Sequence, residues 1–305
     1  MAMGTATTSL SILIPTYNNV CVELVHALAT EGSSIEGLAF EILVADDGST
    51  DADTVAANQA MTSFPHTRYI VRKENVGRSA IRNFLARTAQ YEHLLFIDSH
   101  MQVISPNFIR NYLPHQDKPI VCGGYTIEPS YRHSTDNLRQ AYEVSCLDQQ
   151  SCAWRSHAPH AHFHTSNFMV QRAIMLRHPL DERFKHYGYE DVLYGKTLKE
   201  VGILIHHIDN PLGFHVFETN ARFMDKTDEG LRTLYAFRNE LQGYSRLLAL
   251  SERLGKWRLL WVPRIVYRMA GKLLRRHLTG NHPSLWAFKV YRLCYFAHIY
   301  GRGWE

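Results

Sequence analysis

Glu190 and Asp191 stand side by side at the start of a helix-like run, directly after Tyr187-Gly188-Tyr189. A carboxylate so placed can take a proton from a hydroxyl as its oxygen attacks, help that a poor nucleophile needs in the transition state. The pair would also complement the positive end of a helix, an effect of only about 0.3–1 kcal/mol, but the glycine and aromatics beside it suggest a packed site. Asp98-Ser99-His100 offers a carboxylate and an imidazole two residues apart. Such a set suits a divalent cation that neutralises departing phosphates, and imidazole suits Mn2+ better than Mg2+. Asp46-Asp47-Gly48-Ser49 presents carboxylates able to accept a ring N–H such as that of uracil, although the same four residues also make a good turn and helix cap. In Pro15-Thr16-Tyr17-Asn18, Thr16 and Tyr17 add a backbone edge and an aromatic face. Asn75-Val76-Gly77-Arg78 leads into a helix; Gly77 permits an unusual φ and close backbone approach. Arg78 and Arg82 then lie one turn apart on one face, suited to a diphosphate or base carbonyl, or else solvated.

The elements that must position these groups follow from hydrophobic patterning. Strands are expected at Leu10–Ile14, Phe40–Ala45, Arg68–Val71 and His93–Ile97, and helices at Val20–Thr30, Thr50–Met61 and Arg78–Ala89. Strand, helix and strand at this spacing mean βαβ units and a mostly parallel sheet flanked by helices, which binds ligands beyond the C-terminal ends of its strands. Pro15–Asn18, Asp46–Ser49 and Asp98–His100 all fall at such ends. Further strands are expected at Ile120–Tyr125, Phe163–Val170 and Ile203–Ile208, a helix at Asp191–Val201, and helix from about Asn220 onward.

The 305 residues are 45% hydrophobic and 20% charged, enough for a sizeable core. Apolar runs fall short of a membrane span, and Met1–Ser9 lacks the pattern of a signal peptide, so a cytoplasmic protein is expected. Cys21, Cys122, Cys146, Cys152 and Cys294 form neither a disulfide framework nor a metal knuckle. The net charge of +4 is uneven: Ser251–Glu305 holds 11 Lys and Arg against 2 Asp and Glu, leaving a net −5 elsewhere. That distribution argues against nucleic-acid binding by the whole chain. Arg264, Arg268 and Lys272 recur every four residues, with Arg275 and Arg276 close by. Trp261, Ile265, Val266, Met269 and Leu273 lie between them, and Trp286, Phe288, Tyr291, Tyr295 and Phe296 follow. This pattern fits peripheral docking on an anionic membrane, and equally a helical pair packed on the catalytic domain with a solvated basic face.

Taken in order, Ser11–Asn18, Asp46–Ser49, Asn75–Gly77 with Ala80–Asn83, and Phe96–Asp98 resemble the nucleotide-binding half of family 2 glycosyltransferases, enzymes of GT-A fold. His186–Gly195 resembles the Gly-x-Glu-Asp segment of β-1,4-galactosyltransferases and chondroitin polymerases. The likeness covers roughly residues 9–220. It implies a UDP-sugar donor, a base-reading Asp at position 46 or 47, Asp191 as catalytic base, and Glu190 on an acceptor hydroxyl. Tyr187, Gly188, Tyr189 and His164 would line the acceptor, a glycan or lipid-linked glycan. Donor contacts would come from Pro15, Thr16, Tyr17, Asn18, Asn75, Gly77, Arg78, Arg82, Asp98 and Ser99. The family usually has Asp-x-Asp where this chain has Asp98-Ser99-His100. An Asp-x-His motif occurs in polypeptide N-acetylgalactosaminyltransferases, so retaining chemistry competes with the inverting chemistry that Glu190-Asp191 suggests. The family's further metal ligand is a His after the last core strand, here His215, with His206 and His207 as fallbacks. His157, His160, His162 and His164 read better as acceptor lining than as a metal site, with His162 and His164 on one face of a strand. A catalytically inactive sugar-nucleotide binder and a dinucleotide oxidoreductase are the readings from other classes; intact Asp98 and Asp191 oppose the first, and the missing G-x-G-x-x-G opposes the second. The expected division is a catalytic domain over 1–235, with a donor half at about 9–100 and an acceptor half at about 101–220, and a helical basic region over 236–305.

Overall fold

The computed structural model describes residues 8–133 and 136–300. In chain order its strands are β1 (Thr8–Thr16), β2 (Leu38–Asp46), β3 (Thr67–Val71), β4 (His93–Ile97), β5 (Ile120–Cys122), β6 (Tyr125–Thr126), β7 (Asn167–Gln171), β8 (Ile205–His207) and β9 (Leu212–Gly213). Seven of them form one sheet in the order β3-β2-β1-β4-β7-β5-β8, while β6 pairs with β9. Pairing is parallel except at β7, which runs antiparallel to both β4 and β5. Consecutive residues of β1, β2 and β4 are buried, as expected of strands covered on both faces. Helices α1 (Val22–Ser34), α2 (Ala52–Asn58) and α3 (Arg78–Thr88) make the crossovers. Asp51 caps α2 by accepting the Asp53 N–H at 3.2 Å, so the cap is not formed by Asp46–Ser49.

The chain forms two compact units. Of the described residues, the first comprises 8–126, 149–185 and 194–215, and holds the large sheet. The second gathers 127–133, 136–148, 186–193 and 216–300. The units are interleaved in sequence, because α4 (Leu138–Ser145) and the Tyr187–Leu193 segment join the second unit. Helices α5 (Cys152–His157) and α6 (Arg172–Arg177) belong to the first unit. Helix α7 (Glu190–Glu200) is shared: Glu190–Leu193 belong to the second unit and Tyr194–Glu200 to the first. The second unit is completed by α8 (Asn220–Ala236), α9 (Arg246–Lys256), α10 (Trp261–Leu278) and α11 (Leu285–Tyr300). Its core contains Leu138, Met224, Leu234, Leu248, Phe288 and Phe296.

Two local expectations are corrected. The strand expected from Phe163 begins only at Asn167, so His162 and His164 lie outside it. Phe288, Tyr291, Tyr295 and Phe296 are buried in the second unit's core, so the aromatic run of α11 is packing and only Trp286 of that group is exposed. Among the described residues, no helix is long and apolar enough to cross a membrane.

Candidate active site

Parallel register brings Thr16 beside Asp46, and Asp46 beside Val71, at one end of the sheet. The loops beyond are clasped together. Asn18 adopts a φ of +47°, and its N–H donates to Ser49 Oγ at 2.8 Å. Its side-chain oxygen accepts the Thr50 and Asp51 N–H groups at 2.9 and 3.0 Å. Asp46 is fully buried and accepts from the Ser49 N–H and the Tyr69 hydroxyl, both at 2.7 Å. Asp47 accepts from the N–H groups of Val76 and Gly77 at 3.1 and 3.0 Å. Burial pushes its carboxyl up, and those two N–H groups pull against the rise. Both carboxylates therefore shape the loops, although each oxygen keeps a second lone pair. Gly77 has a φ of +93°, and a Cβ there would lie 3.2 Å from the Lys185 backbone, so the tight approach expected at this glycine is present. Its N–H also meets Asn75 Oδ1 at 3.1 Å. Pro15 is half-buried, Thr16 is buried, and Tyr17 offers an exposed ring at the end of β1.

Asp98 follows β4 and is almost fully buried. Arg82, only 2% exposed, donates from Nη2 to Asp98 Oδ1 and from Nη1 to the Arg78 carbonyl at 3.0 Å. Arg78 Nη2 lies 3.6 Å from the other Asp98 oxygen. Burial alone would raise the Asp98 carboxyl, but Arg82, Arg78 and the neighbouring His100 outweigh it and hold it below its ordinary range. Arg82 thus keeps Asp98 charged. Asn19 Nδ2 donates to the Ser99 carbonyl at 2.9 Å, tying the β1 and β4 loops together.

His100 meets the Phe214 ring edge-on at 5.3 Å; Phe214 meets Tyr125 at 6.2 Å, and Tyr125 meets His164 at 6.0 Å. His215 follows β9, with its Nδ1 hydrogen-bonded to Gln102 Oε1. No three His, Cys, Asp or Glu side chains converge in a metal-holding group among the described residues. Asp98 and His100 lie two residues apart after β4, and a carboxylate with an imidazole is a donor chemistry that fits a divalent ion whose other ligands are phosphate and water oxygens.

In the second unit, Gly188 and Tyr189 have φ values of +97° and +70°. The Tyr187 N–H donates to Glu229 at 3.1 Å, and the Tyr187 carbonyl accepts from the Thr233 hydroxyl at 3.1 Å. The positive φ at Gly188 and Tyr189 turns the chain into α7, at whose first residues Glu190 is buried and Asp191 half-buried. Burial raises the Tyr189 hydroxyl, opposed by the Arg292 guanidinium from α11.

A family model for glycosyl transferase family 2 matches residues 11–182, more than half of the chain. This chain belongs to glycosyl transferase family 2. The transferase is 25% identical over 238 residues to hyaluronan synthase of Pasteurella multocida, covering 68% of this chain and 24% of that one. It is 24% identical over 239 residues to chondroitin synthase of Escherichia coli, covering 68% and 34%. It therefore spans 24% and 34% of the length of these two relatives. Among solved structures, mannosyltransferase PcManGT from Pyrobaculum calidifontis, in complex with GDP-Man and Mn2+, matches with a TM-score of 0.56 and 14% identity, covering 97% of this chain and 88% of that one. S. aureus TarS 1-349 matches at 0.50 with 18% identity over 98% and 93%. The fold is the GT-A fold expected from the sequence.

The transferase also uses residues that sequence reasoning missed. Tyr69 and Asn19 have no motif signature; only the register and the loop clasp give them partners. Arg155 is buried and donates to the carbonyls of Cys122, Gly123, Gln150 and Ile208 at 2.9–3.0 Å. Its Nη1 also lies 2.6 Å from His207 Nδ1, while His207 Nε2 faces the Pro159 carbonyl at 3.0 Å. This arrangement requires a neutral ring that accepts at Nδ1 and donates at Nε2. Burial, reinforced by Arg155, lowers the His207 pKa from 6.5 to about 4. A depressed imidazole contributes stability above its unfolded pKa and loses that contribution as pH falls from 6.5 toward about 4. The loss should reach about 2–3 kcal/mol. Urea midpoints at about pH 7.5 and about pH 4.5 should therefore diverge less in His207→Gln than in the parent; equal divergence would remove His207 as a source.

Proposed function

We propose that this chain is an inverting glycosyltransferase that moves a sugar from a UDP-sugar to a hydroxyl of a glycan or lipid-linked glycan, in cell-surface polysaccharide or glycolipid synthesis. The observation that carries the reading is Asp98: a buried, charged carboxylate at the end of β4, held by Arg82 and flanked by His100. Arg82 and Arg78 balance that charge in the fold, and a carboxylate kept ionised at a strand end is the form that would hold a divalent cation against a diphosphate. Asp98 and His100 would hold a divalent ion, with His215 as a further ligand and Mn2+ favoured over Mg2+. When bound, that ion supplies Lewis acidity toward the diphosphate. The complex of PcManGT with GDP-Man and Mn2+, and that of TarS with UDP-GlcNAc, support a nucleotide-sugar donor. The hyaluronan and chondroitin synthases that the chain matches support a polysaccharide acceptor.

On this reading the Tyr17 ring faces the base, and Asp46 or Asp47 accepts its N–H. Asn75 and Gly77 shape the loop against the donor, and Arg78, half-exposed, approaches the diphosphate. On the second unit, Tyr187, Gly188 and Tyr189 would line the acceptor, with Glu190 on one of its hydroxyls. The acceptor oxygen attacks the anomeric carbon as the bond to the diphosphate breaks. Its proton passes to Asp191, and the nucleoside diphosphate leaves with the bonding electrons.

Purified protein with Mn2+ should release UDP from at least one member of a UDP-sugar panel, faster when acceptor pools are added. A chelator should abolish the release and Mn2+ restore it. Full activity in chelator would remove the metal assignment and leave diphosphate neutralisation to Arg78. Release from GDP-mannose but from no UDP-sugar would overturn the donor assignment.

A further inference from the structure

We propose that α10 is a lipid-docking helix that seats this protein on an anionic membrane surface through one exposed face. An α-helix turns about 100° per residue, so its surface divides into sectors. In α10 one sector is buried: Pro263, Gly271 and Leu278 lie inside the second unit. A second sector carries Val262, Ile265, Val266, Met269 and Leu273, spaced i, i+3, i+4, i+7 and i+11. All five are exposed, Met269 by 83% and Leu273 by 70%. A continuous apolar stripe left in water is unusual on a helix that has already buried a different face. Between these sectors run Arg264, Arg268 and Lys272, with Arg276 beside the stripe. None of these four has an ion-pair partner among the described residues. Arg275 is different: it is paired with Asp228 and, at 2.6 Å, with Asp225, and so belongs to the fold.

Charge complementarity selects the occupant. A row of unpaired cations alongside an apolar stripe matches an acyl boundary beneath anionic headgroups. Trp257, Trp261 and Trp286 are exposed in the same region of sequence, and tryptophan favours the headgroup level. A second copy of the chain would bring like cations together. The inference is independent of the donor chemistry, since vesicle binding needs no substrate.

The test is co-sedimentation of the full chain with vesicles of phosphatidylcholine containing about a third phosphatidylglycerol, and with phosphatidylcholine alone. The parent should bind the anionic vesicles, less so as salt rises. Met269→Ser/Leu273→Ser and Arg268→Glu/Lys272→Glu should each weaken binding on the order of ten-fold or more. Their thermal midpoints should match the parent, because all four side chains are exposed. Parent-like binding by both variants, or no binding of the parent to anionic vesicles at low salt, would overturn the proposal. So would a dimer that Met269→Ser/Leu273→Ser dissociates while vesicle binding is unchanged, which would assign the stripe to a second copy.

Discussion

Asp98→Asn is expected to lower turnover on the order of 10²-fold or more and to cost about 3–5 kcal/mol of stability. The substitution keeps the shape and removes the charge. Arg82, 2% exposed, is then left with a buried guanidinium and a neutral neighbour. Removing one partner of a buried pair is far more damaging than removing both. Asp98→Asn/Arg82→Met should therefore recover much of the stability while staying inactive. Urea denaturation and UDP release, measured on the same preparations, separate the two losses. If activity returned along with stability in the double variant, Asp98 would serve only to balance Arg82, and the proposed site would lose its centre. The pH dependence has a defined sign: a carboxyl held low in the fold contributes stability above its unfolded pKa, and that contribution fades as pH falls through the folded value.

Asp191→Asn should reduce kcat on the order of 10²-fold or more, with donor affinity nearly unchanged. Asp191 is half-buried in the first turn of α7, and the substitution removes basicity with little change of volume. A structural contribution at that helix end is worth only about 0.3–1 kcal/mol, too little to unfold the chain. Single-turnover rates with a saturating donor read the chemical step directly. Turnover near that of the parent would eliminate the base-assisted inverting displacement and favour the retaining alternative suggested by Asp98-Ser99-His100.

Much of the donor half is legible in the amino-acid sequence. The β1, β2 and β4 runs are apolar because both faces are covered, and a sheet of that kind must end in loops that carry its polar residues. That is why Thr16–Asn18, Asp46–Ser49 and Asp98–His100 can be placed at strand ends from pattern alone. The Gly77 turn is legible for a similar reason: a glycine before a helix signals a backbone conformation that other residues avoid. The pairing of Arg82 with Asp98 is not legible, because spacing along a helix says which residues share a face and nothing of what that face meets.

Local pattern by itself therefore determined the strands and helices of the donor half, the fold class, and the candidate carboxylates, since hydrophobic period and turn chemistry act over a few neighbouring residues. Tertiary structure alone decided the antiparallel β7, the interleaved division of the chain, the Arg82–Asp98 pair and the Arg155–His207 contact, each of which joins residues distant in sequence. It also separated the last two helices of the chain. In α11 the aromatic face is covered, in α10 an apolar face is left in water, and periodicity cannot tell these apart, because burial depends on which partner surface the rest of the chain supplies.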